Sequence, residues 1–304
     1  MAYRKMHEDE IDIDEGLVRE LLSDQFSKWS AMPLMPVAST GTDNMIYRLG
    51  THMAVRLPRI AGAAAQAATD QIWLPRLAPA LPLAIPRPLA LGSPARGYPC
   101  QWSVYDWLEG EDALSNTGFD HLRAARDLAS FVVTFRHIPT SGWPAPEVPL
   151  SIRASTLTQR DSYTRNAIAQ LEGVVNTDGA LAEWEAALRI PEWNAPLVWI
   201  HGDLQPLNLL VQDSLLTAVI DFGCLGLGDP AVDLMPAWNL FTGPAREAFR
   251  VAVGVDDATW ARGRGWAFSV ALIALPYYQV TNPALASVAA RTIREVLNQA
   301  NSAR

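Results

Sequence analysis

Three side chains between residues 198 and 223 have the types and the spacing that metal-assisted phosphoryl transfer requires. Asp203 and Asn208 form an H-x-D-x-x-x-x-N string with His201, and Asp221 ends an apolar run and is followed by Phe-Gly. Such chemistry needs a carboxylate near the attacking hydroxyl and hard oxygen ligands for Mg²⁺. The segment therefore predicts a phosphoryl-transfer site, and the two halves together are more specific than either half alone.

The elements around these side chains place them at neighbouring ends of a short hairpin. Apolar, extended runs at residues 197–200, 208–211 and 216–220 are typical of buried strands. The loop that carries Asp203 and the end of the last strand, which carries Asp221, then lie close in space. The alternative is a purely structural pair of buried strands with capping Asp and Asn side chains in the turns.

The composition indicates a folded enzyme rather than a disordered, membrane or nucleic-acid-binding chain. The 304 residues exceed one typical domain, and 49% hydrophobic with 18% charged residues excludes global disorder. The N-terminus lacks the apolar core of a signal peptide, and no run is long enough to span a membrane. Cys100 and Cys224 are far apart, so we expect reduced thiols in a cytoplasmic protein. The net charge of −8 argues against a nucleic-acid partner and fits a cationic substrate only weakly.

Hydrophobic periodicity predicts strands in the first third of the chain and mainly helices after it. The polar stretch Glu109-Gly-Glu-Asp112 is the best linker, so we place an N-lobe at residues 1–108 and a C-lobe at residues 109–304. The predicted strands before the linker are residues 34–38, 44–49, 53–58, 86–91 and 102–107. The predicted helices are residues 14–29, 61–77, 119–136, 152–171, 178–188, 230–241, 244–253, 257–278 and 283–298.

The motifs form a pattern that covers nearly the whole chain in order. The pattern is most diagnostic in three stretches, which are residues 201–210, 220–223 and 228–234. With them, the chain resembles the aminoglycoside phosphotransferase family, which also takes in macrolide kinases and choline-kinase-like small-molecule kinases. Further similar stretches are residues 41–44, 47–50, 55–58, 73–76 and 102–110.

The resemblance implies a fold and a set of roles. The fold is α+β and protein-kinase-like, with two lobes: an N-lobe with an antiparallel sheet and helices, and a mainly helical C-lobe. The cleft takes ATP or GTP as co-substrate together with Mg²⁺. By position, Asp203 is the catalytic base, Asn208 and Asp221 are the metal ligands, and His201 organises the loop. The backbone from Tyr105 to Trp107 is the expected hinge for the adenine or guanine base.

One departure concerns the phosphate-binding cation. Of 24 basic residues only Lys5 and Lys28 are lysines, and both precede the first predicted strand. The lysine that the family places on the third strand is therefore replaced by Arg56, and its helix glutamate by Asp70. Alternatively, Arg56 extends from a strand edge to solvent and Asp70 is a solvated helix carboxylate.

The loop at residues 39–43 has small and hydroxyl side chains, as expected where backbone N–H groups approach phosphates. Thr42 and Asn44 are the residues that we expect to bind the nucleotide there. A plain hairpin turn is the alternative, because the loop has only one glycine.

Asp229 and Asp233 form a second pair of carboxylates after the site. They could hold a metal ion, or they could start a helix and orient the catalytic segment. We favour the helix start.

The acceptor is the least determined part of the prediction. We expect a small, hydroxyl-bearing, antibiotic-like acceptor, an aminoglycoside or a macrolide, bound by helices between residues 151 and 173 and beyond residue 233. A metabolic kinase of a sugar or amino alcohol and a catalytically weak nucleotide-binding pseudokinase are the alternatives, and the chain could be a monomer or a homodimer. The acids available for an aminoglycoside are Asp161, Glu172, Asp256 and Asp257. The aromatic residues that would suit a macrolide, if they are not ordinary helix packing, are Trp238, Trp260, Trp266, Tyr277 and Tyr278.

Overall fold

The computed structural model describes residues 10–37, 43–60, 63–144 and 147–302. By the proximity of their Cα atoms, the residues divide into two compact units. Unit 1 is Met1–Pro79 with Ala84–Glu109, and unit 2 is Ala80–Leu83 with Gly110–Arg304.

Unit 1 is built on a five-stranded antiparallel sheet. Its strands are β1 (Leu34–Pro36), β2 (Asn44–Leu49), β3 (Met53–Pro58), β4 (Pro88–Gly92) and β5 (Trp102–Asp106). Their order is β1-β2-β3-β5-β4, so β3 is the central strand. Arg56 lies opposite Ile46 on β2 and Ser103 on β5. The strand predicted for Arg56 is confirmed, and it lies inside the sheet rather than at an edge.

Two helices complete unit 1. The first, α1 (Glu15–Gln25), begins after Asp14, whose carboxylate accepts an N–H of the first turn and so satisfies one of its open donors. Its buried leucines join a core that contains Trp102 and Tyr98. The second, α2 (Gln66–Leu77), turns Asp70 and Trp73 inward, and both are almost fully buried.

Unit 2 contains two small sheets that carry the loop of Asp203 and the hairpin predicted from the sequence. The strands are β6 (Glu111–Asp112), β7 (Val198–Ile200), β8 (Leu209–Gln212), β9 (Leu215–Val219) and β10 (Gly226–Gly228). One sheet has the order β6-β8-β9 and the other pairs β7 with β10, all antiparallel. The predicted hairpin is therefore confirmed as β8 and β9.

The rest of unit 2 is helical, as predicted. The helices are α3 (His121–His137), α4 (Asp161–Gln170), α5 (Thr177–Leu188), α6 (Pro236–Asn239), α7 (Gly243–Val253), α8 (Asp257–Tyr278) and α9 (Pro283–Ser302). The bounds predicted for α8 are confirmed at both ends. Asp256 caps the first turn by accepting the Thr259 N–H, which explains where the helix begins. The α+β class, with an antiparallel sheet before the helical part, is confirmed. Among the helices described, none has the length and apolar character needed to cross a membrane.

The helix predicted at residues 152–171 is wrong over its first part. A 3₁₀ turn at Thr158–Arg160 leads into α4, and the residues before it are irregular. The Ser151 N–H donates to the Leu227 carbonyl at 3.0 Å, and its hydroxyl donates to the Cys224 carbonyl. These bonds hold the segment extended beside β10, so its backbone donors are not available for a helix. The helix predicted at residues 230–241 is likewise divided, into a 3₁₀ turn at Pro230–Leu234 and α6.

Candidate active site

The loop after β7 brings together the residues of the H-x-D-x-x-x-x-N string. Gly202 has φ +84°, and a Cβ there would lie 2.7 Å from Cys224 Cβ and 2.9 Å from its carbonyl oxygen. Only glycine accepts both this backbone conformation and this close approach. A 3₁₀ turn at Pro206–Asn208 then leads into β8, so that Asn208 comes back to Asp203.

The two oxygens of the Asp203 carboxylate have different surroundings. Oδ2 accepts hydrogen bonds from Asn208 Nδ2 at 3.0 Å and Gln205 Nε2 at 3.1 Å. Oδ1 accepts none from the part of the chain that the structure describes, and it faces Arg153 Nη2 at 3.8 Å. The Asp203 side chain is 23% exposed. One oxygen therefore fixes the carboxylate, and the other is left for a ligand.

His201 holds the loop and does not take part as a charged group. Its Nδ1 accepts the Asp203 N–H at 3.2 Å, so the proton lies on Nε2, which donates to the Ile220 carbonyl at 3.0 Å. Burial lowers the pKa of His201, against the opposite effect of the Asp233 carboxylate, and this favours the neutral ring. The ring also packs edge-on against Phe222, with 4.6 Å between centroids.

Burial also sets the ionisation of Asp203. It raises the pKa of the carboxyl above its usual range, Arg153 opposes that effect, and the nearby negative charge of Asp221 adds to it. A carboxylate with a raised pKa is a stronger base than an exposed one. This suits a group that must accept a proton near neutral pH.

Asn208 and Asp221 are neighbours across the hairpin. Leu209 on β8 pairs with Val219 on β9, and the Ile220 N–H donates to the Asn208 carbonyl at 2.9 Å. Asp221 follows with φ +62°, a conformation that costs energy in residues other than glycine and that is common at functional sites.

The donor set at this point fits Mg²⁺. Both N–H contacts of the Asn208 amide go to Asp203, at 2.9 Å to its carbonyl and 3.0 Å to Oδ2, so the amide oxygen points the other way. An amide oxygen and the Asp221 carboxylate are hard ligands, and Mg²⁺ is commonly held by one or two such groups plus substrate phosphates. The described residues contain no cluster of three or more His, Cys, Asp or Glu side chains arranged for a metal. The assignment of Asn208 and Asp221 as ligands stays a prediction.

Asp229 and Asp233 anchor the loop. The Asp233 carboxylate, 2% exposed, accepts the His201 N–H at 2.7 Å and the Gly202 N–H at 2.8 Å. Asp229 caps the 3₁₀ turn that follows it and forms a salt bridge with Arg262 at 2.7 Å. Both acids are engaged in the way expected for a helix start that orients the catalytic segment.

The cation expected at the nucleotide phosphates lies in a polar cluster of unit 1. Arg56 is 3.6 Å from the Asp70 carboxylate and donates to Gln66 Oε1 at 3.2 Å. The Asn44 amide, turned so that both its atoms are satisfied, accepts from the Arg56 guanidinium at 2.9 and 3.2 Å. Tyr105 donates its hydroxyl to Asp70 at 2.8 Å, and burial raises the pKa of that phenol. Arg56, Asp70, Asn44 and Tyr105 are thus brought together.

Part of the backbone that we expect to bind the purine base is already hydrogen-bonded within unit 1. The Asp106 N–H donates to the Arg87 carbonyl at 2.9 Å, and the Trp107 N–H donates to the His52 carbonyl at 2.8 Å. Two backbone donors from Tyr105 to Trp107 are therefore already used within unit 1. Thr42 lies outside the described residues.

Three neighbours of Asp203 escaped the sequence pattern. Gln205 lies inside the loop but has no fixed chemical role by type. Arg153 lies fifty positions earlier, in the segment that was predicted to be helical. Asn239 donates to the Leu204 carbonyl at 2.8 Å from α6. Long-range packing, which no local spacing encodes, brings the last two to the loop.

Comparisons with known proteins identify the fold and the family. A family model described as "Phosphotransferase enzyme family" matches residues 35–266. The structure of the GDP and kanamycin complex of APH(2")-IIia is similar, with a TM-score of 0.73 at 18% identity, covering 94% of this chain and 99% of that chain. The streptomycin-ATP-APH(2")-IIa ternary complex gives 0.59 at 14% identity, with 93% and 97% covered. Macrolide 2'-phosphotransferase MphH from Brachybacterium faecium gives 0.58 at 22% identity, with 92% and 98% covered. No curated protein matches the sequence.

The structural likenesses, all below 25% identity, show the fold, and the family match covers well over half of the chain. The chain belongs to the phosphotransferase enzyme family.

Proposed function

We propose that this phosphotransferase is a small-molecule kinase, which transfers the γ-phosphoryl group of ATP or GTP to a hydroxyl of an antibiotic-like acceptor with Mg²⁺. The observation that carries the proposal is the asymmetric Asp203 carboxylate. Its Oδ2 is held by Asn208 and Gln205, while its Oδ1 accepts no hydrogen bond from the described residues, and the side chain is partly exposed. A base needs one fixed and one open oxygen to orient a hydroxyl and take its proton.

The residues of the loop supply most of the mechanism. Asp203 Oδ1 would accept the hydroxyl proton as the acceptor oxygen forms its bond to the γ-phosphorus and the bond to the β–γ bridging oxygen breaks. Asn208 and Asp221 would hold Mg²⁺, which when bound neutralises phosphate charge. His201, neutral and packed on Phe222, keeps the loop in register.

Nucleotide binding is assigned to residues 1–108 and the reaction to residues 109–304. Arg56 would grip phosphate oxygens with Asp70 as its partner, and Asn44 would orient the guanidinium. Thr42 and the backbone near Tyr105 and Trp107 complete the proposed nucleotide set. The presence of GDP or ATP in the structurally similar complexes supports a nucleotide of either base.

The acceptor is better described as neutral than as polycationic. Asp161 accepts from Arg165 at 2.7 Å and from Trp184 at 2.8 Å, Asp256 caps α8, and Asp257 is paired with Arg250 at 2.8 Å. Three of the four acids proposed for an aminoglycoside are thus engaged within the chain. This favours a macrolide-like acceptor, or a neutral sugar in the alternative of a metabolic kinase.

A screen of hydroxyl compounds with ATP and GTP tests the function, with Asp203→Ala as the diagnostic variant. Loss of the base should reduce turnover by about 10²–10⁴-fold, because a positioned base contributes that much. Nucleotide affinity, measured by calorimetry, should stay within a factor of about two, since Asp203 is not a nucleotide ligand here. Asp127→Ala on α3, an exposed acid 3.6 Å from Arg123, is the matched control and should behave as the wild type. An equal loss of turnover and nucleotide affinity in Asp203→Ala would contradict the role.

A further inference from the structure

Arg153 reaches the catalytic loop from the irregular segment before α4. Its N–H donates to the Ser151 hydroxyl at 3.0 Å, and Ser151 is itself bonded to Cys224 and Leu227. The approach to the loop is close, since a Cβ on Gly202 would lie 3.3 Å from Arg153 Cγ. The backbone of Arg153 is therefore fixed by Ser151, and the first part of its side chain packs against Gly202.

The guanidinium lies beside Cys224 and Asp203, and one of its donors is left without a partner within the described part of the chain. Arg153 Nη2 is 3.8 Å from Asp203 Oδ1, beyond hydrogen-bond distance, and both side chains are 23% exposed. Its Nε–H is buried and has no hydrogen-bond partner among the described residues. A guanidinium carries five donors, and leaving a buried one unpaired is costly.

Two other arginines of unit 2 form forked ion pairs with carboxylates. Arg262 meets Asp229 at 2.7 and 3.3 Å, and Arg264 meets Glu183 with two bonds of 2.9 Å. Both pairs are forked and hydrogen-bonded, as expected for arginine with a carboxylate. Arg153 makes no such bond to Asp203. It differs from these two forked pairs and resembles the looser contact of Arg123 with Asp127 at 3.6 Å, so a forked clamp on Asp203 does not describe its geometry.

A second arginine lies close to Arg153. Arg160 is close enough for mutual repulsion: burial, together with Arg153, lowers its pKa to about 10. Arg160 donates to Ser269 and lies over Trp266, and it has no carboxylate partner within the described ranges. Cys224 stays neutral, because burial raises the pKa of its thiol to about 12. The titratable groups that act on Arg153 are Cys224, Asp203 and Tyr278, and of these three Asp203 is the carboxylate.

We propose that Arg153 is a catalytic residue that donates to the equatorial oxygens of the phosphoryl group as it passes from the nucleotide to the acceptor. The proposal rests on the proposed function. The acceptor oxygen–phosphorus bond forms, the bond from phosphorus to the bridging oxygen breaks, the proton goes to Asp203, and the nucleoside diphosphate leaves. Because Arg153 faces the same Oδ1 that takes the proton, it lies next to the phosphorus that the acceptor oxygen attacks. In a chain with only two lysines, a guanidinium fork is the available group to match these oxygens.

A transition-state analogue separates this role from a structural one. We would compare the wild type, Arg153→Gln and Arg153→Lys in turnover and in binding of ADP or GDP with Mg²⁺, each with and without aluminium fluoride. Arg153→Gln should lower kcat by about 10³-fold or more, as for arginines that contact a transferring phosphoryl group. It should weaken binding of the fluoride complex by a similar factor and leave the diphosphate alone unaffected. Arg153→Lys keeps the charge but not the fork, so it should recover part of both losses.

Two controls keep the test decisive. Arg123→Gln removes an exposed guanidinium of α3 and should match the wild type in every measurement. Melting temperatures report on folding, and Arg153→Lys, which retains the aliphatic stem, provides the comparison if Arg153→Gln does not fold.

The outcomes divide cleanly. If Arg153→Gln only moves the acidic limb of the pH profile and binds the fluoride complex like the wild type, Arg153 merely supports the ionisation of Asp203 and the proposal is overturned. If the wild type itself shows neither turnover nor fluoride-dependent binding, the proposed function fails and the inference fails with it.

Discussion

In its proposed role as the base, the Asp203 carboxylate combines one anchored oxygen with one open oxygen. Its Oδ2 receives two amide donors, from Asn208 and Gln205, while burial keeps the group from being a weak, fully solvated base. The two effects oppose each other, because hydrogen bonds to the ionised form lower a pKa and burial raises it. Burial is the larger effect here.

This balance predicts the pH dependence of the reaction. Only ionised Asp203 can accept a proton, so kcat/KM should fall as the pH drops through the raised pKa. Its acidic limb should lie above the ordinary aspartate value of about 3.9. Gln205→Met removes one donor to the ionised form and should move the limb upward by about one pH unit, from the energy of a charged hydrogen bond. Gln212→Met, at an exposed position at the end of β8, is the control and should leave the profile in place. A shift of the limb to lower pH in Gln205→Met would be inconsistent with this account.

The Arg56 guanidinium is held by three neighbouring side chains of unit 1. Asn44, Gln66 and Asp70 surround its guanidinium with two amide oxygens and one carboxylate. A lysine ammonium is a point charge and could not meet all three at once with the same spacing. Arg56 and Asp70, which is one methylene shorter than the glutamate implied by the resemblance, therefore fit together in this cluster.

At the scale of elements, the catalytic loop is positioned by the 3₁₀ turn at Pro230–Leu234 rather than by its own strand alone. Asp233 on this turn receives two consecutive N–H groups of the loop and is almost fully buried. Backbone donors at this point would otherwise be buried without a partner. The turn thus fixes the backbone position of His201 and, through it, that of Asp203.

Asp233→Asn should therefore damage both stability and turnover. The amide keeps one acceptor oxygen and places an NH₂ group against a backbone N–H, so unfolding in urea should show a loss of about 2–4 kcal/mol. Turnover should fall as well, because the loop that carries Asp203 shifts. Asp257→Asn, at a position that is 95% exposed in a surface ion pair, should cost no more than about 0.5 kcal/mol. Wild-type stability and turnover in Asp233→Asn would rule out the anchoring role.

The elements also show where sequence reasoning succeeds and where it fails. The hairpin of β8 and β9, and with it the proximity of Asn208 and Asp221, follows from local alternation and a turn. The length of α8 follows from a long run of apolar and helix-compatible residues, and its start follows from the cap at Asp256. The extended segment at Arg153 could not be predicted, because its conformation depends on bonds to Leu227 and Cys224, more than seventy positions away.

At the scale of the whole molecule, the chain is acidic, with 32 acidic and 24 basic residues. The segment that delivers Arg153, however, exposes the apolar side chains of Leu150 and Ile152, at 67% and 77%. Trp238 and Trp266, which the sequence offered as acceptor contacts, are fully buried in helix packing. The segment beside the loop therefore offers two exposed apolar side chains and the partly exposed Arg153.

A polycationic acceptor and a neutral one should consequently respond differently to salt. An aminoglycoside held by carboxylates would lose affinity as salt screens the attraction, so its KM would rise between about 0.05 and 0.3 M KCl. A neutral acceptor, bound through hydroxyl and apolar contacts, should show a nearly constant KM over that range.

We expect kcat/KM for a neutral acceptor such as a macrolide to exceed that for kanamycin by about tenfold or more, since the cations of kanamycin would be repelled by Arg153 and Arg160 at a cost of about 1.4 kcal/mol or more. Steady-state kinetics with both acceptors at the two salt concentrations measures this directly, and a preference for kanamycin with a strongly salt-dependent KM would reverse the assignment. In the proposed mechanism, the Arg153 charge that assists phosphoryl transfer would also select against a cationic acceptor, because Arg153 faces Asp203.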